Sequence, residues 1–312
     1  LFWFFRKGGK LYSPKGEFRP LLRAALPVTA MRTSSSLINS LISVVFPLRL
    51  IAAGISPSLA MSEYGVVYGM VMPILFTPST LIGSIALVLV PELSECFYRK
   101  DRKKLSSYVE KALNATLLIA GALIPFFIVC GEDVGIFLYS NAASGRLIAS
   151  CALLLLPMSI TLICTSMLNS LGCERQTLYF FLAGAAAMLL CVWFLPQYLG
   201  SGALCVGMAC DYTISAVCSL WLLAKKTGKL RSWKYFLRLV LALAPVVAGG
   251  LALRFALLRF LGFFPAFALT ALAVAGAEIL ILSRMKLLDL RAVFSRFVRK
   301  KAKKAPSPID NA

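Results

Sequence analysis

Long, continuous apolar segments recur along the chain and constrain its fold more than any other feature. Each approaches the roughly 20 residues that an α-helix needs to cross a bilayer. They do not alternate between apolar and polar residues as strands do, and an open strand edge would leave backbone groups unpaired in lipid. We therefore predict an all-α, polytopic membrane protein with eight transmembrane helices, at about residues 25 to 50, 65 to 90, 112 to 130, 147 to 170, 178 to 195, 202 to 224, 237 to 258 and 262 to 283.

Composition supports a membrane chain. Hydrophobic residues make up 59% of the sequence and charged residues only 15%, whereas soluble domains contain about 25% charged residues. Eight spans leave no room for a sizeable soluble domain. The nine cysteines lie in or beside apolar segments without CxxC spacing, so we interpret them as small apolar side chains rather than disulfides or metal ligands.

The formal net charge of +20 is concentrated at the two ends and in every second connection between predicted helices. The connection after the second helix, for example, carries Arg99, Lys100, Arg102, Lys103 and Lys104. Cytoplasmic loops of membrane proteins are enriched in Lys and Arg. We therefore predict that both ends and the basic loops lie in the cytoplasm, where anionic membrane lipids attract them. This placement accounts for the charge without a nucleic-acid partner.

The sequence lacks several features on which membrane enzymes commonly depend. The sequence contains no histidine, which removes His-based acid-base catalysis and His-ligated metals. It also lacks the GxxxxGK[ST] pattern of a P-loop and a clustered Asp pair of the kind that holds Mg²⁺ for phosphotransfer. We predict that the chain is not an enzyme and has no catalytic residue, no cofactor and no metal site.

A polar stripe runs along the first predicted helix. Arg32, Ser36, Asn39 and Ser43 are spaced four, three and four residues apart, which places them on one helix face. A guanidinium suits phosphate or pyrophosphate, and Ser and Asn side chains suit sugar hydroxyls. We therefore predict a substrate-binding site at Arg32, Ser36 and Asn39. The alternatives are that Arg32 snorkels to the membrane surface and that Ser36 and Asn39 pack against another helix.

Two acidic residues, Asp211 and Glu278, also lie inside predicted spans. Charged groups at this depth are costly and usually face a cavity or a partner. Asp211 is a candidate for a proton or cation relay, and Glu278 is a candidate for the same role or for pairing with a basic residue. A purely structural role is the alternative for both.

Several short motifs resemble a known family of transporters. They are "ALPVTA" at the start of the first helix, "LVPELSE" at the end of the second before a basic loop, and "MLNSLGCERQT" after the fourth. With these motifs the chain resembles the polysaccharide-transport branch of the multidrug/oligosaccharidyl-lipid/polysaccharide flippase superfamily, and within it the stage V sporulation protein B group. Cys173 and Thr177 depart from the small residue or proline expected after the fourth helix.

The resemblance implies an architecture of two six-helix lobes around a cavity, with two additional helices at the C-terminus. Residues 25–225 would be the second six-helix lobe and residues 226–284 the additional pair. Residues 1–24 would hold the end of a preceding helix, "LFWFF", and a basic cytoplasmic linker, and residues 285–312 a basic cytoplasmic tail.

The function that the resemblance implies is the flipping of a lipid-linked oligosaccharide or peptidoglycan precursor across the bacterial cytoplasmic membrane by alternating access. The partner would be a sugar linked to polyprenyl pyrophosphate. The alternatives are a cation-coupled multidrug exporter of the same superfamily, for which Asp211 would be the key residue, and a membrane-bound glycosyltransferase or polymerase.

Overall fold

The computed structural model describes residues 18–200, 202–228, 232–260 and 262–285, and only the backbone within residues 18–24 and 232–234. The described residues contain eight helices that are long and apolar enough to cross a membrane, which confirms the predicted all-α, polytopic membrane fold. The predicted helix end "LFWFF" and nearly all of the predicted basic tail fall outside the described residues. The helices are α1 Phe18–Ala52, α2 Pro57–Tyr98, α3 Arg102–Tyr139, α4 Ala142–Ser170, α5 Glu174–Phe194, α6 Gly202–Thr227, α7 Ser232–Phe260 and α8 Phe263–Arg284.

Some helices begin well before their apolar segments. Helix α2 starts at Pro57 rather than near residue 65, because proline at the first position of a helix loses no backbone hydrogen bond. Helix α3 starts at Arg102 rather than near residue 112, because the side chain of Asp101 caps it and accepts a hydrogen bond from the N–H of Lys104 at 3.2 Å. This bond also holds the pKa of the Asp101 carboxyl below its ordinary value. Three of the five cations named above for this connection, Arg102, Lys103 and Lys104, therefore lie in the first turn of α3.

Helix α5 packs between α1 and α6, and helix α4 packs against α2, α3 and α6. Helix α7 packs on α3, and α8 packs on both α7 and α3. We call the end of the bundle with Arg99, Lys104, Arg175, Lys226 and Arg284 the basic end. The other is the opposite end.

The buried side chains form two main clusters at different depths. The cluster nearer the opposite end includes Ile42, Phe46 and Leu50 of α1 together with residues of α2 to α6. The cluster nearer the basic end is built from α2, α3, α4, α5 and α6, and within the described residues it contains no side chain of α1. Within the described residues, the apolar side chains that α1 buries completely therefore lie in its second half.

Polar and small residues tighten the opposite end. Arg49 of α1 donates from Nε to the carbonyl of Trp193 in α5 at 2.8 Å, and its guanidinium lies 4.8 Å from the centre of the Trp193 ring. Between α3 and α4 there is no room for a side chain at Gly135 or Gly145, where an added methyl would overlap the backbone of the other helix. These contacts close the bundle at the end away from the basic loops.

Candidate functional site

The polar stripe on α1 is one half of a longer row on the same helix face. Arg32, Ser36, Asn39 and Ser43 are followed, after three and then four residues, by Phe46 and Leu50. The side chains of Phe46 and Leu50 are completely buried, whereas those of Arg32, Ser36 and Asn39 are exposed. The face that packs into the protein near the opposite end is therefore polar and uncovered near the basic end.

Another side of α1 is apolar. Leu37, Leu41, Val44 and Leu48 are all exposed, between 49% and 66%. At 100° per residue they lie on the far side of the helix from the polar row. The uncovered polar row therefore faces away from this apolar surface.

A polar crevice of about 340 Å³ lies beside Arg32, between α1, α4, α5 and α6. Its volume is in the range of small-molecule sites, roughly 300–1,000 Å³. Arg32 is the only charged residue in its lining. Apart from Arg32, the polar lining consists of hydroxyl and amide side chains: Ser35, Thr161, Thr165, Ser166, Asn169, Thr177, Ser215 and Ser219.

Part of this polar lining is already hydrogen-bonded within the protein. The hydroxyl of Thr177 donates to Oδ1 of Asn169 at 2.9 Å, and the hydroxyl of Thr161 donates to the carbonyl of Tyr212 at 3.1 Å. Arg32, by contrast, makes no hydrogen bond and no ion pair with another described residue. At seven residues from Ala25, where the apolar span begins, it lies about 10 Å along the helix axis. The crevice thus combines an unpaired cation with prearranged hydroxyl groups.

The three predicted binding residues differ in their relation to the crevice. Arg32 lies at its border. Ser36 and Asn39 are exposed and do not line the crevice, whereas Ser35, which we did not predict, does. The predicted residues therefore share an uncovered helix face, but only Arg32 reaches the crevice.

A second depression, of about 670 Å³, lies on the other side of Ser166, between α4 and α2. Thr80 and Ser84 of α2 line it. Their hydroxyls donate to carbonyls of their own helix, at 2.9 Å each, which lowers the cost of placing them in an apolar setting. The two depressions meet at Ser166, so polar or small residues extend from α1 across α4 to α2.

Asp211 lies next to the crevice but does not line it. A methyl group at Gly184 in α5 would overlap both the Asp211 carboxylate and the hydroxyl of Ser215, which lines the crevice. Tyr68 and Tyr212 are within electrostatic reach of the same carboxylate. The structure thus places Asp211 in a tight helix contact that leads to the crevice through Ser215.

Glu278 is packed between a different set of helices. It is a buried residue of α8, a helix that packs on α3 and α7, whereas the crevice is formed by α1, α4, α5 and α6. The two acidic candidates therefore lie in different helix contacts.

Most residues that line the crevice were not predicted from the sequence. A signal was present in α4, where Thr161, Thr165 and Asn169 follow at intervals of four and so share one face. The hydroxyls of Ser215 and Ser219 in α6 repeat the same interval. No single one of these residues indicated a binding site, because hydroxyl side chains are common at helix contacts in membranes.

An apolar groove of about 770 Å³ lies on the other side of the contact between α4 and α6. Its lining runs from Gly202 to Leu220 along α6, about 27 Å at 1.5 Å per residue, and so spans most of the hydrocarbon core of a bilayer. The pair of helices therefore presents a polar crevice on one face and an apolar groove on the other.

Comparison with known proteins gives one partial similarity. Over 130 residues the chain is 26% identical to stage V sporulation protein B of Bacillus subtilis (strain 168), an alignment that covers 42% of this chain and 25% of that protein. The chain thus matches about a quarter of the length of this curated relative. No family model matches the chain, and no solved structure matches it. The similarity agrees with the group to which the sequence motifs point.

Proposed function

We propose that the protein moves the anionic head group of a lipid-linked oligosaccharide or peptidoglycan precursor across a membrane. The observation that carries this proposal is the unpaired Arg32 at the border of a hydroxyl-lined crevice, on a helix face that is uncovered only near the basic end. The partial similarity to stage V sporulation protein B and the eight apolar helices support a transport role in general.

The chemistry of the crevice suits a head group made of pyrophosphate and sugar. The guanidinium of Arg32 offers a fork of charged donors to phosphate oxygens. The hydroxyls of Thr165, Ser166 and Ser219 and the amide of Asn169 offer neutral donors and acceptors to sugar hydroxyls. A drug-like apolar cation would gain nothing from Arg32, which favours an anionic substrate.

The polyprenyl tail of such a substrate need not enter the crevice. Only the charged head pays a large cost in hydrocarbon, so the tail stays in lipid while the head crosses through a hydrated path. In this proposal the uncovered faces of α1 and α2 line that path. A second lobe would complete it, and alternating access of the two lobes would move the head group without nucleotide hydrolysis.

The proposed orientation follows from the charges. The basic end, which is also the end where the polar row of α1 is uncovered, faces the cytoplasm. Anionic lipid head groups there attract the cations of the α2–α3 connection, of which Arg99 and Lys104 are more than 70% exposed in their side chains. The crevice would then receive its substrate from the cytoplasmic leaflet of a bacterial membrane.

A second candidate, a cation-coupled multidrug exporter, rests on Asp211. Its carboxylate adjoins Ser215, and through it the crevice, so that a proton or cation bound there would act on the crevice. The two functions are separated by Asp211→Asn. If the protein is an exporter, cells that carry this variant lose drug resistance. If it is a flippase, the variant leaves drug resistance unchanged.

The test is Arg32→Ala in the intact gene product in its bacterial host, with Arg32→Lys and Thr33→Ala as matched variants. Loss of a charge-assisted hydrogen bond costs about 1.5–3 kcal/mol, which corresponds to roughly a 10- to 100-fold loss of affinity. We expect Arg32→Ala to abolish complementation of a cell-envelope or spore-cortex defect at unchanged protein level. Arg32→Lys retains part of the activity and Thr33→Ala all of it. Full activity of Arg32→Ala would remove Arg32 from the site.

A further inference from the structure

The packed face of α8 contains one acidic residue. This face consists of residues spaced four apart, all of them buried: Ala266, Thr270, Val274, Glu278 and Leu282. The hydroxyl of Thr270 donates to the carbonyl of Ala266 at 2.7 Å and is thereby satisfied. Glu278 is only 5% exposed, so it is held in the helix interface rather than in lipid or water.

Apolar side chains lie one helical turn away from Glu278 in both directions along α8. One turn toward the opposite end, Val274 packs with Val129 of α3 and Val246 of α7. One turn toward the basic end, Leu282 packs with Leu117 of α3 and Leu239 of α7. Within the described part of the chain, the fully buried Oε1 atom of Glu278 has no hydrogen-bond partner.

Every other charged side chain in the described parts of α3, α7 and α8 lies at a different level from Glu278 along the helix axes. The contacts of Val274 with Gly250 and of Leu282 with Leu239 place Glu278 level with about residue 245 of α7 and residue 123 of α3. At 1.5 Å per residue, the nearest charges are then about 9 Å away or more along the helix axes. Apart from Glu278, the charged residues whose side chains are described are Arg102, Lys103, Lys104, Glu110, Lys111, Glu132 and Asp133 on α3, Arg238, Arg254 and Arg259 on α7, and Arg284 on α8.

The other titratable side chains described on these helices are a cysteine and three tyrosines. Cys130 belongs to the apolar cluster of Val274, and the tyrosines of α3 and α7 lie toward the helix ends, at Tyr108, Tyr139 and Tyr235. None supplies a positive charge to Glu278. A carboxylate in such a setting would cost several kcal/mol, whereas the neutral acid avoids that cost.

We propose that Glu278 is a proton-binding site that keeps α8 packed on α3 and α7 while it is neutral. Loss of the proton would place a carboxylate between two apolar clusters and loosen α8. This inference does not rest on the proposed transport function, because Glu278 faces α3 and α7 while the crevice is built from α1, α4, α5 and α6. It would also hold in a protein that transports nothing.

The first test is chemical labelling of the purified protein with dicyclohexylcarbodiimide. The protonated acid adds across a C=N bond of this apolar reagent and rearranges to an N-acylurea, with no leaving group. We expect mass spectrometry to find the adduct on Glu278, in a yield that falls as the pH rises. Glu278→Gln abolishes this adduct. Labelling of Glu278 that does not change with pH would overturn the proposal.

A second measurement keeps the proposal testable if the reagent does not reach the interface. The packed helix binds a proton that the separated helix releases, so stability is highest at low pH and is lost as the pH rises. We expect the melting temperature of the wild type to fall with rising pH relative to that of Glu278→Gln, which stays neutral. The control is Glu95→Gln, at an exposed ion pair with Arg99. Identical pH profiles of wild type and Glu278→Gln would refute proton binding.

Discussion

At the scale of single residues, the structure distinguishes two kinds of charge within the spans. Arg32 is exposed on an uncovered face and has no described partner, so it is available to a ligand. Asp211 sits in a helix contact so tight that Gly184 of α5 has no room for a side chain. Arg32 is therefore placed for binding, whereas the position of Asp211 depends on the absence of a side chain at Gly184.

This dependence gives a prediction for Gly184→Ala. The added methyl overlaps the Asp211 carboxylate and the Ser215 hydroxyl, and overpacking of this kind costs about 1–3 kcal/mol. We expect a lower melting temperature in detergent micelles. The matched control is Gly249→Ala, also inside a span, where an added methyl meets no atom within 4 Å. Equal stability of the two variants would show that the α5–α6 contact relaxes at no cost.

The sequence allowed Arg32 and Asp211 to be found, because a charge within an apolar segment stands out on its own. It did not allow Ser35 to be chosen over Ser36, since the direction of a helix face depends on which helices pack beside it. Thr165 and Ser219 were missed for the same reason. Their significance comes from the space between α4, α5 and α6, which no single helix specifies.

At the scale of helices, the pair α7 and α8 is fastened to α3 by an ion pair at the opposite end. Arg254 of α7 donates from Nε to Oδ2 of Asp133 at 2.8 Å and from Nη2 to Oδ1 at 2.9 Å. Glu132 accepts from the same guanidinium at 3.1 Å. The side chain of Asp133 is 3% exposed, so this carboxylate depends on Arg254 for its charge balance.

We predict that Arg254→Ala strongly destabilises the docking of α7. Removing one partner of a buried ion pair costs about 3–5 kcal/mol, because the other charge is left unpaired. Addition of Asp133→Asn recovers part of the loss, since the carboxylate is then gone. Arg259→Ala, an exposed arginine on the same helix, leaves the melting temperature unchanged. If Arg254→Ala behaved like Arg259→Ala in thermal melts, the ion pair would contribute nothing to docking.

The number and type of these helices were predictable, because an apolar segment of about 20 residues specifies a span wherever it lies. The residues at which the helices begin were less predictable. Asp101 and Pro57 extend α3 and α2 beyond their apolar segments through capping and proline geometry, which hydropathy does not register. The pairing of Arg254 with Asp133 was also missed, since residues 121 positions apart meet only through the packing of α3 and α7.

At the scale of the whole molecule, the bundle is closed at one end and open at the other. Arg49 and Trp193 join α1 to α5 at the opposite end, while near the basic end α1 contributes no side chain to the described core. In the proposed orientation, with the basic end in the cytoplasm, the uncovered end of α1 faces the inside of the cell. The proposed orientation therefore determines from which side the crevice is reached.

Orientation is testable by labelling a single cysteine at Lys103, in the first turn of α3. We predict that Lys103→Cys, in a variant without the native cysteines, reacts with an impermeant maleimide only after the cells are opened. Asn141→Cys, at the connection between α3 and α4, serves as the matched residue at the opposite end and reacts in intact cells. Reversed accessibility would invert the orientation and with it the direction from which substrate enters.

The proposed function requires that the polar row of α1 faces water rather than lipid. The most direct measurement compares Ser36→Cys and Asn39→Cys with Leu37→Cys and Leu41→Cys, each as the only cysteine, by their rates of reaction with a water-soluble maleimide. All four positions are exposed, but a thiol forms the reactive thiolate only where water reaches it. We predict fast reaction at 36 and 39 and slow reaction at 37 and 41. Equally slow reaction at all four positions would contradict the claim and leave the crevice without a path for a charged head group.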